Sequence, residues 1–240
     1  MRGPMISRRS MLSGAGAVAG AAFLASRVAA APAELAPFKL PPPITREERL
    51  TRISRARDLM QRNGIGSVLV ESGPSLDYFT GIQWWRSERL TGVVIPAAGD
   101  PIIVTPFFEK PSIEEMLLVP AEIRTWEEDE EPLKLVADFL KERGVANQPV
   151  AFDETNRFFL EDRLKQQLPS VTVVNGNPVV RRLRMIKSPA ELALMQAAAD
   201  IMAASLRYAG ERTRDGMTPE QIDALNTLGT DPIKKLVTPR

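Results

Sequence analysis

Short runs of β-branched residues, separated by stretches of helical period, constrain this chain more than any other feature. Ser67-Val68-Leu69-Val70, Gly92-Val93-Val94-Ile95, Pro101-Ile102-Ile103-Val104, Pro149-Val150-Ala151-Phe152 and Val171-Thr172-Val173-Val174 each have the length and composition of a buried strand. Ala97-Ala98-Gly99-Asp100 joins the second and third of them as a hairpin. Leu50, Ile53, Ala56 and Met60 recur at helical spacing after Thr45-Arg46-Glu47-Glu48. There the Thr45 hydroxyl and the Glu48 carboxylate are spaced to cap each other's backbone amides. Asn63-Gly64 ends that helix, and Gly64-Ile65-Gly66 is a turn, because a phosphate loop joins strand to helix and not helix to strand. Leu133, Val136, Phe139 and Leu140 mark a second helix that closes at Gly144; Leu160, Leu164 and Leu168 mark a third. Strands alternating with helices predict an α/β fold, a mixed β-sheet flanked by helices, over residues 45–187.

Ser188-Pro189-Ala190-Glu191 starts a new helix, with Ser at the N-cap, Pro in the first turn and Glu three residues after the cap. Thr218-Pro219-Glu220-Gln221 repeats the signal for a shorter one. Residues 188–240 are expected to be the start of a second domain, too short to close a core of its own. Leu192, Met195, Met202 and Leu206 would then face water along an uncovered stripe.

The beginning of the chain has a different character. Arg8 and Arg9 precede an uncharged stretch rich in Gly and Ala that runs to Ser26, and the pattern resembles a twin-arginine export signal. The stretch between Arg9 and Arg27 is shorter than the ~20 apolar residues a membrane-spanning helix needs, so no stable membrane span is expected. Residues 1–30 are read as a signal peptide cleaved after Ala30, with Ala33 as the fallback, and the product as exported to a bacterial periplasm. Residues 31–44 form a Pro-rich linker.

Composition removes several chemistries. The chain has no Cys and no His, which excludes disulfides, thiol nucleophiles and any Ser-His or Cys-His pair. The formal charge of +1 and the lack of a basic track beyond the N-terminus argue against nucleic acid as a partner.

Several segments, in order, resemble the creatinase/prolidase/aminopeptidase P family. They are Tyr78-Phe79-Thr80-Gly81, Glu88-Arg89-Leu90, Val94-Ile95-Pro96 with Gly99-Asp100-Pro101, Thr105-Pro106-Phe107-Phe108-Glu109, the run from Trp126 to Pro132, and Phe152-Asp153-Glu154. The most specific is Arg182-Leu183-Arg184-Met185-Ile186-Lys187-Ser188-Pro189-Ala190-Glu191, similar to the R-x-I-K-S-x-x-E junction between the two domains of that family. The resemblance implies an N-terminal α/β domain followed by the start of a catalytic half with the "pita-bread" fold. It further implies hydrolysis of the bond before proline, or of a related amide, by two divalent metals (Mn, Co or Zn). In the family two Asp, one His and two Glu hold them, all in the catalytic half. The present sequence has no His, so no catalytic and no metal residue is assigned here, and the chain is expected to be inactive alone.

Two functional expectations follow. The first is an accessory portion that gates substrate and supports dimerisation, partnered by another copy or a full-length family subunit and, in full-length relatives, by a peptide. The second is a stand-alone module that binds peptides or a subunit without catalysis. Trp84, Trp85 and Arg86 are the candidate contact with substrate or a partner subunit, since Trp and Arg dominate interface hot spots. Alternatively a Trp packs on the sheet, and Arg86 or Arg89 pairs a carboxylate. The acidic run Glu127 to Glu131 is better explained by the helix that begins at Pro132, whose positive end it faces, than by a bound cation.

Overall fold

A computed structural model describes residues 38–227. Arg8, Arg9, Ala30, Ala33 and most of the linker lie outside the described residues. Lys39–Asp200 forms one compact unit, and the described residues 201–227 fall in a second. The first unit is built on six strands: β1 (Ser67–Glu71), β2 (Gly92–Pro96), β3 (Ile102–Pro106), β4 (Glu122–Trp126), β5 (Val150–Phe152) and β6 (Val173–Asn175). They lie in the order β4-β3-β2-β1-β5-β6. β2 runs antiparallel to β1 and β3, while every other neighbouring pair is parallel, so the sheet is mixed as expected. The hairpin between β2 and β3 turns at Gly99, whose φ of 82° is the left-handed conformation that Gly tolerates without steric cost.

Helices cover both faces. α1 (Arg46–Arg62) and α2 (Pro74–Thr80) bring Ile53, Ala56, Met60, Leu76 and Phe79 onto one face, against Val68, Val70, Val93, Ile95 and Ile103. α4 (Pro132–Glu142) and α5 (Phe158–Gln167) bring Leu133, Val136, Phe139, Leu140, Leu160 and Leu164 onto the other, against Leu69, Val94, Ile102, Val104 and Val150. Alternate residues of β1 to β3 therefore serve opposite cores, which is why these strands read as unbroken β-branched runs. Each large side chain so buried contributes about 1.5–3 kcal/mol relative to exposure.

Four elements were not apparent from sequence pattern: α2, α3 (Lys110–Met116), β4 and α6 (Val180–Met185). β4 is an edge strand carrying Glu122 and Arg124, with Arg124 bonded to Glu122 (2.8 Å) and to Glu142 of α4 (2.6 Å). Charge on an edge suits a strand that must not recruit another chain, and it hides the apolar alternation.

The caps hold one correction. Thr45 Oγ1 accepts from the Glu48 amide at 3.2 Å, as expected. Glu48 does not return the bond: its carboxylate accepts from Arg52 (2.7 Å) and from the Ser188 hydroxyl (2.7 Å). A guanidinium one turn along the helix is a stronger, charge-assisted partner than a backbone amide. The reciprocal box forms instead at α7 (Pro189–Arg212), where the Ser188 amide donates to Glu191 (2.8 Å) and Ser188 Oγ accepts from the Glu191 amide (3.2 Å). Along α7, Leu192, Met195, Met202 and Leu206 are exposed and Ile201, Ser205, Tyr208 and Ala209 are buried. In the second unit, Thr218 Oγ1 and the Gln221 side chain cap a helix over 219–227.

Candidate functional site

All strands but β2 point the same way, so the carboxyl ends of β1 and β5 lie side by side. From β1 the chain goes on to β2 on one side, and from β5 to β6 on the other. Such a divergence opens a crevice beyond the strand ends, the usual place for a ligand in an open α/β sheet. Here the crevice is a cleft of about 570 Å³ lined by Ser72, Pro74, Gln83, Trp84, Trp85 and Arg86, with Thr155 from the segment after β5.

The three residues singled out in the sequence meet in this cleft but differ in role. Trp84 is half-buried and packs against the core that contains Phe79 and Ile82. Trp85 is 91% exposed. Arg86 lies between, its Nε 3.8 Å from a carboxylate oxygen of Glu71. Packing and ion pairing thus account for Trp84 and Arg86, while Trp85 has no packing role.

Sequence reasoning missed the residues that hold this loop. Glu71, at the end of β1, has a fully buried carboxylate. Arg157 donates to it from both Nε (2.7 Å) and Nη2, and also donates to the carbonyls of Ser87 (2.7 Å) and Arg89 (3.3 Å). One arginine therefore neutralises the carboxylate and ties down the loop that carries Trp84 to Arg86. Asn156 adds a bidentate link to β1, accepting from the Glu71 amide (3.1 Å) and donating to the Leu69 carbonyl (2.9 Å). At the loop's far end Thr91 donates to Glu109 (2.7 Å) and lies 3.0 Å from Thr105. The other wall is set by α2, which Gly73 enters at φ 134° and Gly81 leaves at φ 88°. A Cβ at Gly81 would also come within 2.7 Å of Leu118.

Among the described residues, three polar groups of the cleft are unspent: Ser72 Oγ is buried without a hydrogen-bond partner, the Gln83 amide has none, and Arg86 makes only its long contact to Glu71. A rigid indole wall and a guanidinium with free N–H groups suit a small ligand with an apolar ring and a negatively polarised oxygen. Of the hydroxyls that line the cleft, Thr155 Oγ1 donates to the buried Asp153 carboxylate at 2.7 Å.

The metals implied by the family resemblance do not fit these residues. The sequence has no His, and among the described residues no group of three or more His, Cys, Asp or Glu is placed to hold a metal ion. The acidic run is spent otherwise: Glu128 pairs Arg89 (2.6 Å), Glu130 accepts from the Glu127 amide (2.8 Å) and Glu131 caps α4 (3.1 Å). Among the described residues no helix is long and apolar enough to cross a membrane.

Comparison with known proteins agrees with this fold. Residues 52–186 match the model of the creatinase/prolidase N-terminal domain. An uncharacterized peptidase of Schizosaccharomyces pombe is 28% identical over 200 residues, covering 77% of this chain and 43% of that protein. A probable dipeptidase PepE of Mycobacterium tuberculosis is 31% identical over 142 residues, covering 58% of this chain and 36% of its own. The crystal structure of a prolidase from Thermococcus sibiricus superposes with a TM-score of 0.67 at 22% identity, over 77% of this chain and 50% of that one. The chain therefore spans half or less of the length of these relatives.

Proposed function

Because the chain belongs to the creatinase/prolidase family, we propose that it is the substrate-framing portion of an Xaa-Pro dipeptidase-like hydrolase and does not itself break the bond. The observation that carries this reading is the cleft at the ends of β1 and β5, with Trp85 exposed and Ser72 Oγ and Arg86 unspent. A proline ring fits an indole wall, and a peptide carbonyl or carboxylate fits a guanidinium whose position Glu71 fixes. The absence of His, and of a metal-holding cluster among the described residues, supports assigning bond cleavage elsewhere. Metal-assisted chemistry would then belong to the catalytic half that full-length relatives carry. Trp85 is also suited to meet a partner subunit, because an aromatic left 91% exposed gains most from being covered.

The reading extends to location: paired Arg8 and Arg9 before a weakly apolar stretch support export of the chain to the periplasm.

Titration of the 240-residue chain with a glycyl-proline peptide, followed by tryptophan emission, tests the framing role. Saturable change is expected, and Trp85→Ala should remove it while moving stability by no more than about 0.5 kcal/mol, as for most surface changes. An emission that stays flat in the unaltered chain, or a variant that still binds, would overturn the assignment of this cleft.

A further inference from the structure

On the other side of α2 lies a second, smaller pocket of about 240 Å³, between α1 and the junction that leads into α7. It shares Pro74 and Asp77 with the cleft but has a different chemistry. We infer that this pocket binds a phosphate-type oxyanion, through Arg184 and Lys187 with Arg49 behind them.

Four cations line the pocket, Arg49, Arg52, Arg184 and Lys187, against two carboxylates, Asp77 and Glu191. The carboxylates are already engaged. Asp77 pairs Arg49 (3.0 Å), and Glu191 lies 3.5 Å from Arg52 while also accepting from the Ser188 amide (2.8 Å). Arg52 also donates to Glu48, outside the pocket, at 2.7 Å and to the Tyr78 carbonyl at 2.9 Å. Among the described residues, Arg184 and Lys187 are left half-buried with no carboxylate partner: Arg184 donates to Ser75 Oγ (2.8 Å), and Lys187 only to the Arg184 carbonyl. Cations withdrawn from water are ordinarily paired.

A second observation points the same way. The Arg49 side chain is only 9% exposed, and its Nε is buried with no hydrogen-bond partner. Its Nη atoms are held by Asp77, so the guanidinium has a donor to spare beside two unneutralised cations. An arginine fork next to an ammonium matches a tetrahedral dianion better than a single carboxylate, because it supplies several donors and more than one charge. The pocket is confined and the sequence has no basic track leading to it, so a single phosphate group is the expected ligand and a nucleic acid is not. The groove formed by Arg55, Arg62 and Arg182 is less suited, since all three are exposed and none is held behind it as Arg49 is.

Calorimetry on the 240-residue chain at low ionic strength, with inorganic phosphate, glycerol phosphate and acetate as separate ligands, tests the inference. One-site binding of phosphate is expected, weakened about tenfold or more by Arg184→Gln with Lys187→Gln, which removes two charge-assisted contacts. Arg182→Gln, on the neighbouring exposed turn, should leave the affinity unchanged. Lys187→Gln alone supplies the same readout if the double variant does not fold, as judged by circular dichroism. Binding of both phosphates admits a phosphate ester as occupant; binding of the inorganic ion alone assigns a free one. No saturation up to about 10 mM, where affinity becomes negligible, acetate binding as tightly as phosphate, or an undiminished affinity in the variants would each overturn the site.

Discussion

Burying Glu71 takes a carboxylate fully out of water, and among the described residues only Arg157 at hydrogen-bonding distance and Arg86 at 3.8 Å offset that cost. Removing Arg157 would leave the charge stranded and free the Ser87 and Arg89 carbonyls together. Arg157→Ala should therefore cost about 3–5 kcal/mol, the range for breaking one side of a buried pair. Urea unfolding reads this directly, and a loss below about 1 kcal/mol, the level of an exposed pair, would show that the loop does not depend on it. Glu71→Gln combined with Arg157→Met should be milder, since no uncompensated charge remains. At this scale the sequence was half legible. Trp84, Trp85 and Arg86 stand out because they are adjacent and of unusual type, whereas Glu71 and Arg157 are 86 positions apart and become partners only once β1 and β5 pair.

Among the elements, β1, β2 and β3 were legible because burial on both faces leaves unbroken β-branched runs, and their hairpin because Gly99 punctuates it. β4 and α2 were not. The first alternates charge at a sheet edge, and the second is seven residues long, entered and left through glycines that read as turn. The junction behaves in a similar way. Sequence places the domain change between Lys187 and Ser188, yet Ser188 bonds Glu48 at 2.7 Å and Glu191 lies 3.5 Å from Arg52, so the start of α7 is fastened to α1. The first compact unit accordingly runs to Asp200. Arg52 is nearly buried, and a chain ended after Lys187 would leave it with Glu48 as sole carboxylate. Relative to a chain ended after Asp200, the loss of one charge-assisted contact and one hydroxyl bond is about 2–4 kcal/mol. Thermal unfolding of the two should show the shorter melting several degrees lower. Equal midpoints would support the boundary at Lys187.

For the whole molecule, the mixed sheet and the family follow from the order of short segments along the chain, and both the domain match and the fold agree with that order. The cleft was legible as residue types but not as a place, because its floor joins β1, the loop before β2 and the segment after β5. Export is argued from the first residues alone. A folded reporter carrying residues 1–33 should reach the periplasm, and Arg8→Lys with Arg9→Lys should stop it; export that survives the double change would assign the general secretory route instead. The central claim is that these residues frame a peptide and leave its cleavage to others. Incubating the 240-residue chain with an Xaa-Pro dipeptide and added Mn²⁺, Co²⁺ or Zn²⁺, and measuring the free amino acid released, tests that claim most directly. The account predicts intact dipeptide with each metal, because the sequence has no His and no metal-holding cluster is found among the described residues. Metal-dependent release of the N-terminal residue above the protein-free blank would contradict it.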